Sequence, residues 1–302
     1  MKRVVSISLG TSERDKSTQV EILGEQFSIE RIGTDGDMKR FAAMFTELDG
    51  QVAALGVGGC DIYVVVGDRK YAFREIVGAV RGAKTTPVVD GSGLKHTLER
   101  ETIQRLQREG TVNFAEQRVL LMSAADRYGM AQSLSELCPE VLYGDLMFGV
   151  GLPLRVRSYK GVQRLGAILL PIITQLPFQW FYPTGDKQKV RTPKFQADFG
   201  WATVIAGDSL FINRYAPDRL DGKTIITQSV RKANVEWMRS AGVSQLITTT
   251  PVFGGETFAT NVMEGVLVSL IGKPVGEITP ADYLAKMAEL DWKPNVLRLQ
   301  EP

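Results

Sequence analysis

Apolar residues in this chain come in short bursts separated by polar or glycine-bearing turns. Compact runs at Val4–Ser8, Val52–Leu55, Pro87–Asp90, Arg118–Met122, Val141–Tyr143, Ala202–Ala206, Thr224–Thr227 and Gln245–Thr250 predict buried strands. Gln19–Arg31 alternates in a way that suits one strand or a hairpin around Gly24. Gly67-Asp68-Arg69 separates two runs, Asp61–Val66 and Lys70–Phe73, that predict a second hairpin. Between the strands the period lengthens. Asp37–Leu48 places Met38, Phe41, Ala42, Met44, Phe45 and Leu48 on one helical stripe. Helices are also predicted over Lys95–Gln107, stopped at Gly110, and over Gly129–Leu137, Ser158–Leu176, Asn234–Ala241, Phe258–Ile271 and Pro280–Leu290. Strands alternating with helices argue for an α/β protein with mainly parallel sheets. The polar stretch Arg108–Gln117 is the best place for a domain boundary.

Composition narrows the class. The chain has 302 residues, enough for two domains at about 150 residues each. With 44% hydrophobic and 23% charged residues it can bury a sizeable core. Lys plus Arg is 36 and Asp plus Glu is 34, a net charge of +2 that gives no support to a nucleic-acid partner. Two cysteines, Cys60 and Cys138, cannot build a disulfide framework, and one histidine, His96, excludes a two-histidine metal site; no metal is expected. The N-terminus carries no signal-like apolar run, so a cytoplasmic location is expected. Ala167–Pro183 is the most apolar stretch, but its prolines and polar residues keep its runs short of a membrane span. A buried helix and turn is the plain reading; a homodimer contact or a lipid-facing ledge is the alternative.

Candidate chemistry gathers at strand ends. Arg118–Asp145 reads as strand, small-residue turn, helix, strand and acidic residue. In a dinucleotide-binding βαβ unit such a turn holds pyrophosphate on backbone N–H groups, and the acidic residue accepts from the ribose. Ser123, Ala124, Asp126, Arg127 and Gly129 would form that turn and Asp145 would meet the ribose, although the G-x-G-x-x-G glycines are absent. A βαβ unit without nucleotide is the competing reading. Ser8–Lys16 offers hydroxyls, a glycine and two cations after a strand, as an anion turn or as a solvated loop. Gly56–Asp61 reads as a sharp turn before the hairpin. In Asp90-Gly91-Ser92-Gly93-Leu94-Lys95 a carboxylate and a lysine flank a flexible turn; they form either a proton-transfer pair or a helix cap beside a solvated lysine. Thr248-Thr249-Thr250-Pro251, Ala206-Gly207-Asp208 and Gly144-Asp145 are further polar strand ends, with Gly254-Gly255-Glu256-Thr257 and Asn261 beyond the first.

Thr34-Asp35-Gly36, the runs Ala54–Tyr63 and Thr86–Lys95, Leu246–Pro251 and Thr260-Asn261-Val262 resemble a bacterial group of quinate 5-dehydrogenases, over most of the chain. The resemblance implies kinship with quinate/shikimate dehydrogenases. It implies an N-terminal α/β substrate domain (1–115), a Rossmann-like dinucleotide-binding domain (116–275) and a C-terminal helix and tail (276–302) that pack back on the first. It further implies an NAD- or NADP-dependent dehydrogenase of a small polyol or hydroxy acid. Lys95 and Asp90 would relay the hydroxyl proton. Thr250 would join the turn residues at the cofactor, and Asp145 would favour NAD by repelling a 2′-phosphate. Lys95 stands later than the family's lysine, and Ser123–Gly129 replaces its glycine-rich turn. Two other functions stay open: a nucleotide-sugar or phosphometabolite transferase with two Rossmann-like halves, and a non-catalytic sensor that closes on a small molecule.

Overall fold

Val4, Val5 and Ile7 project from both faces of the first strand and all are fully buried, the environment of a central parallel strand with helices on both sides. The computed structural model describes residues 1–67, 69–180, 190–253 and 256–300. Its first lobe contains β1 (Lys2–Ser8), β2 (Lys16–Ile22), β3 (Glu25–Gly33), α1 (Met38–Glu47), β4 (Ala54–Gly58), β5 (Tyr63–Val66), β6 (Arg69–Ala72), α2 (Arg74–Val80), β7 (Val88–Val89) and α3 (Ser92–His96). The sheet runs β2-β3-β1-β4-β7, and only β2 is antiparallel. Gln19–Arg31 resolves as the β2–β3 hairpin, turning on Leu23 and Gly24, which both take positive φ. Asp37 caps α1 by accepting from Lys39 N and Arg40 N, and Phe41 and Phe45 of that helix are buried against Val5, Ile7 and Leu55.

The second lobe follows α4 (Leu98–Arg108). It contains β8 (Arg118–Leu121), α5 (Tyr128–Leu137), β9 (Glu140–Tyr143), α6 (Tyr159–Ile173), α7 (Gln196–Trp201), β10 (Val204–Ala206), α8 (Ser209–Tyr215), β11 (Thr224–Thr227), α9 (Lys232–Ser240) and β12 (Gln245–Thr248). Then come β13 (Val252–Phe253), β14 (Glu256–Thr257), α10 (Thr260–Ile271), α11 (Pro280–Glu289) and β15 (Asn295–Arg298). The second sheet runs β15-β12-β11-β10-β8-β9, parallel except for β15. Ile103, Leu106, Met130 and Leu134 cover one face. Phe199, Ile212 and Met238 cover the other.

The fold is thus mixed α/β with two parallel-sheet lobes. Renumbered within each lobe, the parallel strands run 2-1-3-4 in the first sheet and 2-1-3-4-5 in the second. A Rossmann dinucleotide domain runs 3-2-1-4-5-6, so the Rossmann-like expectation is corrected to the other doubly wound order.

The helix predicted over Lys95–Gln107 breaks at Thr97. Leu94 and Leu98 join the first-lobe core, whereas Ile103 and Leu106 join the second. The chain crosses back at α10, not at residue 276. Thr260–Val268 are all buried, as suits a helix apolar on every side, and Val262 and Val266 pack with Val4 and Ala54. The tail then crosses a third time, because β15 pairs with β12 of the second sheet.

The apolar stretch at α6 is a surface helix. Ile168 and Ile172 are 66% and 62% exposed, so the buried-helix reading holds only for its inner face. Among the described residues no helix is long and apolar enough to cross a membrane. Asp68, Tyr182, Gly185, Lys187, Lys189, Gly254 and Gly255 lie outside the described residues.

Candidate functional site

In an open α/β sheet the ligand crevice lies outside the carboxyl ends of the strands where the order reverses. Here those points are β1 with β4 in one lobe and β8 with β10 in the other. Both open onto one cleft between the lobes, with a cavity of about 150 Å³. That is the space filled by one benzene-sized ring.

The first-lobe wall is basic. Arg14, Lys16 and Arg31 line it beside the hydroxyls of Ser6 and Ser8. Arg31 is held in place: it donates to Thr11 O (3.0 Å), Asp15 Oδ1 (2.8 Å) and Ser8 Oγ (3.0 Å). Lys16 Nζ lies 4.2 Å above the Phe258 ring. Burial, then the charges of Arg31 and Arg231, hold the Arg14 pKa down to about 10. Burial also lowers that of Arg31, against the pull of Asp15. On the floor, Asn261 Nδ2 donates to Ser6 Oγ at 2.6 Å.

Opposite this wall lies a buried charge network that ties the lobes together. Lys95 Nζ donates to Asp61 Oδ1 and to Asp126 Oδ1, each at 2.6 Å. Arg127 donates to Glu99 Oε1 and, at 2.6 Å, to Asp208 Oδ2. Burial raises the Asp61 pKa well above the usual range, against the pull of Lys95. Burial pushes Asp126 the same way, but Arg127 and Lys95 outweigh it and hold Asp126 below the usual range. The two carboxyls thus meet at one ammonium, Asp61 from the first lobe and Asp126 from the second. Burial alone would lower Lys95; Asp126 and Asp61 reverse that and raise it.

Several expected roles are corrected. Lys95 points at Asp61 and Asp126, not at Asp90. Asp90 Oδ2 accepts from Ile62 N (2.8 Å) and Tyr63 N (2.9 Å), and its Oδ1 accepts from Ser92 N (3.0 Å) and Ser92 Oγ. With its oxygens committed to the turn, Asp90 has no place in a relay. Asp145 folds back onto the turn it was expected to face across a ribose. It accepts from Ala124 N (3.0 Å), Ala125 N (2.8 Å) and Ser123 Oγ (3.4 Å). The protein's own carboxylate therefore occupies the N–H groups that a pyrophosphate would need.

Gly129 serves packing: a Cβ there would meet Lys95 O of α3 at 2.3 Å. Thr250 is fully buried and donates to Gln228 O at 2.6 Å. Of the expected cofactor residues only Asp126 and Arg127 reach the cleft, and both are in ion pairs. The structure also places Ser8, Arg14, Lys16, Gly58 and Gly59 there, from the segment expected to be an anion turn or a solvated loop and from the one expected to be a sharp turn. Arg31 was missed altogether. Its place at the carboxyl end of a parallel strand is visible only once β3 is paired with β1.

Residues 93–299 match the model of a family described as Domain of unknown function (DUF8754), and residues 3–90 match one described as Domain of unknown function (DUF8753). No curated protein matches the chain. Similar solved structures include a galactofuranose binding protein, at 9% identity and TM-score 0.35, covering 96% of this chain and 99% of that one. Another is a sugar ABC transport substrate-binding protein from Bordetella parapertussis, at 10% and 0.35, covering 90% and 79%. A third is a periplasmic solute binding protein from Actinobacillus succinogenes with bound D-allose, at 7% and 0.33, covering 99% and 98%. At such TM-scores these likenesses carry no argument about what this chain binds. Neither family model is described as a quinate or shikimate dehydrogenase. With the phosphate turn closed by Asp145, the dehydrogenase reading and its NAD or NADP cofactor are withdrawn.

Proposed function

We propose that this protein, which belongs to the family described as Domain of unknown function (DUF8754), holds one small anionic, hydroxyl-bearing molecule between its lobes. The observation that carries this reading is the convergence of Arg14, Lys16 and Arg31 on a ring-sized cavity floored by Ser6, Ser8 and Asn261. The positive charges of Arg31 and Arg231 act on Arg14, against the pull of Asp208, and an anion in the cavity would add to that pull. Charge-assisted hydrogen bonds to such an anion are worth about 1.5–3 kcal/mol each. The neighbouring hydroxyls and amide suit sugar-like hydroxyl groups, which both donate and accept.

Thermal shift and titration calorimetry with glucose 6-phosphate, gluconate and glucose test this. The two anions are expected to stabilise the protein, by about 2.7 kcal/mol at a hundred times Kd, and Arg14→Gln to weaken them at least tenfold. Equal stabilisation by glucose, or unchanged binding to Arg14→Gln, overturns the reading.

A further inference from the structure

A second cavity, of about 110 Å³, adjoins the cleft. Its walls come from α6, through Val162, Leu165 and Leu169, and from the first lobe, through Val64 and Phe73. Asp126 and Phe211 line both cavities, so the two meet across these side chains. The polar groups at the near end are already engaged. Asp145 accepts from Ala124 N and Ala125 N, and Asp126 accepts from Lys95. A polar substituent entering there would find few partners and would lose its water, whereas an apolar one leaves no group unsatisfied.

We propose that the molecule held in the cleft carries an apolar arm, alkyl or aryl, that passes Asp126 and Phe211 into this second cavity. The ligand class is then an amphipathic anion, such as an alkyl or aryl ester of a phosphate. This rests on the reading of the cleft as an anion site.

Calorimetry of the full chain with methyl, butyl and hexyl phosphate separates the two ideas. Affinity is expected to rise about fourfold per added methylene until the cavity is full. In Leu165→Trp, which fills the cavity from α6, the dependence on chain length is expected to vanish. Methyl phosphate binding with no gain from longer chains overturns the arm and leaves the anion site standing. No binding at any length overturns the arm, and binding of glucose 6-phosphate in the same experiment then leaves the anion site standing. If Leu165→Trp does not fold, methyl-labelled spectra of the wild-type protein decide the matter. Hexyl phosphate must shift the methyl signals of Val162, Leu165 and Leu169, and unmoved signals overturn the proposal.

Discussion

Replacing Lys95 by methionine removes the one ammonium that two buried carboxyls share. Both contacts are 2.6 Å long and the lysine side chain is only 9% exposed, so water screens the pair little. Removing one partner of a buried ion pair costs about 3–5 kcal/mol. Methionine keeps most of the lysine stem's volume, so cavity formation adds little. At roughly 2–4 °C per kcal/mol for chains of this size, Tm should fall by roughly 6–20 °C.

The pH dependence gives a sharper test. Without the ammonium, the folded carboxyl pair holds its protons at higher pH than the unfolded chain does. The folded state of Lys95→Met then binds more protons, so its stability falls as pH rises, by up to about 1.4 kcal/mol per pH unit per proton. The wild-type protein keeps the ammonium to a pH far above this window. The Tm gap between the two proteins should therefore be wide at pH 8 and narrower at pH 5. Scanning fluorimetry across that range reads it directly. A loss below about 1 kcal/mol at neutral pH, or a gap that widens on acidification, refutes the account, since a solvated lysine would stabilise by no more than that.

One further substitution and one titration follow from the same structure. Asp145→Ala should destabilise by about 1–3 kcal/mol, because it bares the N–H groups of Ala124 and Ala125. Sulfate should restore part of that loss beyond its general effect on the wild type, and a variant indifferent to sulfate counts against the plugged turn. Glu264 accepts from Gly91 N (2.6 Å), Gly93 N (3.0 Å) and Tyr283 OH (2.8 Å), yet burial, helped by Asp90, pushes its pKa from 4.5 up to about 7. The folded protein then keeps a proton that the unfolded chain has lost. This group's contribution to stability falls as pH rises from about 4.5 to 7 and is level above. Carbon-13 spectra of the Glu264 carboxyl should show a midpoint near pH 7, and a midpoint below 5 would remove the claim.

The chain's local pattern was enough for its α/β class and most of its elements. Strand apolarity at β1, β8, β11 and β12, the helical stripe of α1 and the glycine turn at Leu23–Gly24 are properties of neighbouring residues, so alternation and backbone preference express them directly. The strand ends near Ser8, Asp126 and Asp208 could also be marked as binding edges without coordinates. The 2-1-3-4 strand order could not. It comes from pairings such as β1 with β3 and β8 with β10, which bring together residues far apart in sequence.

Charge partners follow the same rule. Lys95 and Asp90 are five positions apart, and their chemistry invites a pair. Tertiary packing instead carries the ammonium to Asp61 and Asp126, 34 and 31 positions away. Asp145 stands where a ribose ligand would place an acidic residue, but the second strand returns its carboxylate to the N–H groups of the first turn. A sequence sets which groups are available. Only the fold sets the few ångströms over which a charge finds its partner, because electrostatic and hydrogen-bond energies depend on distance in space and not along the chain.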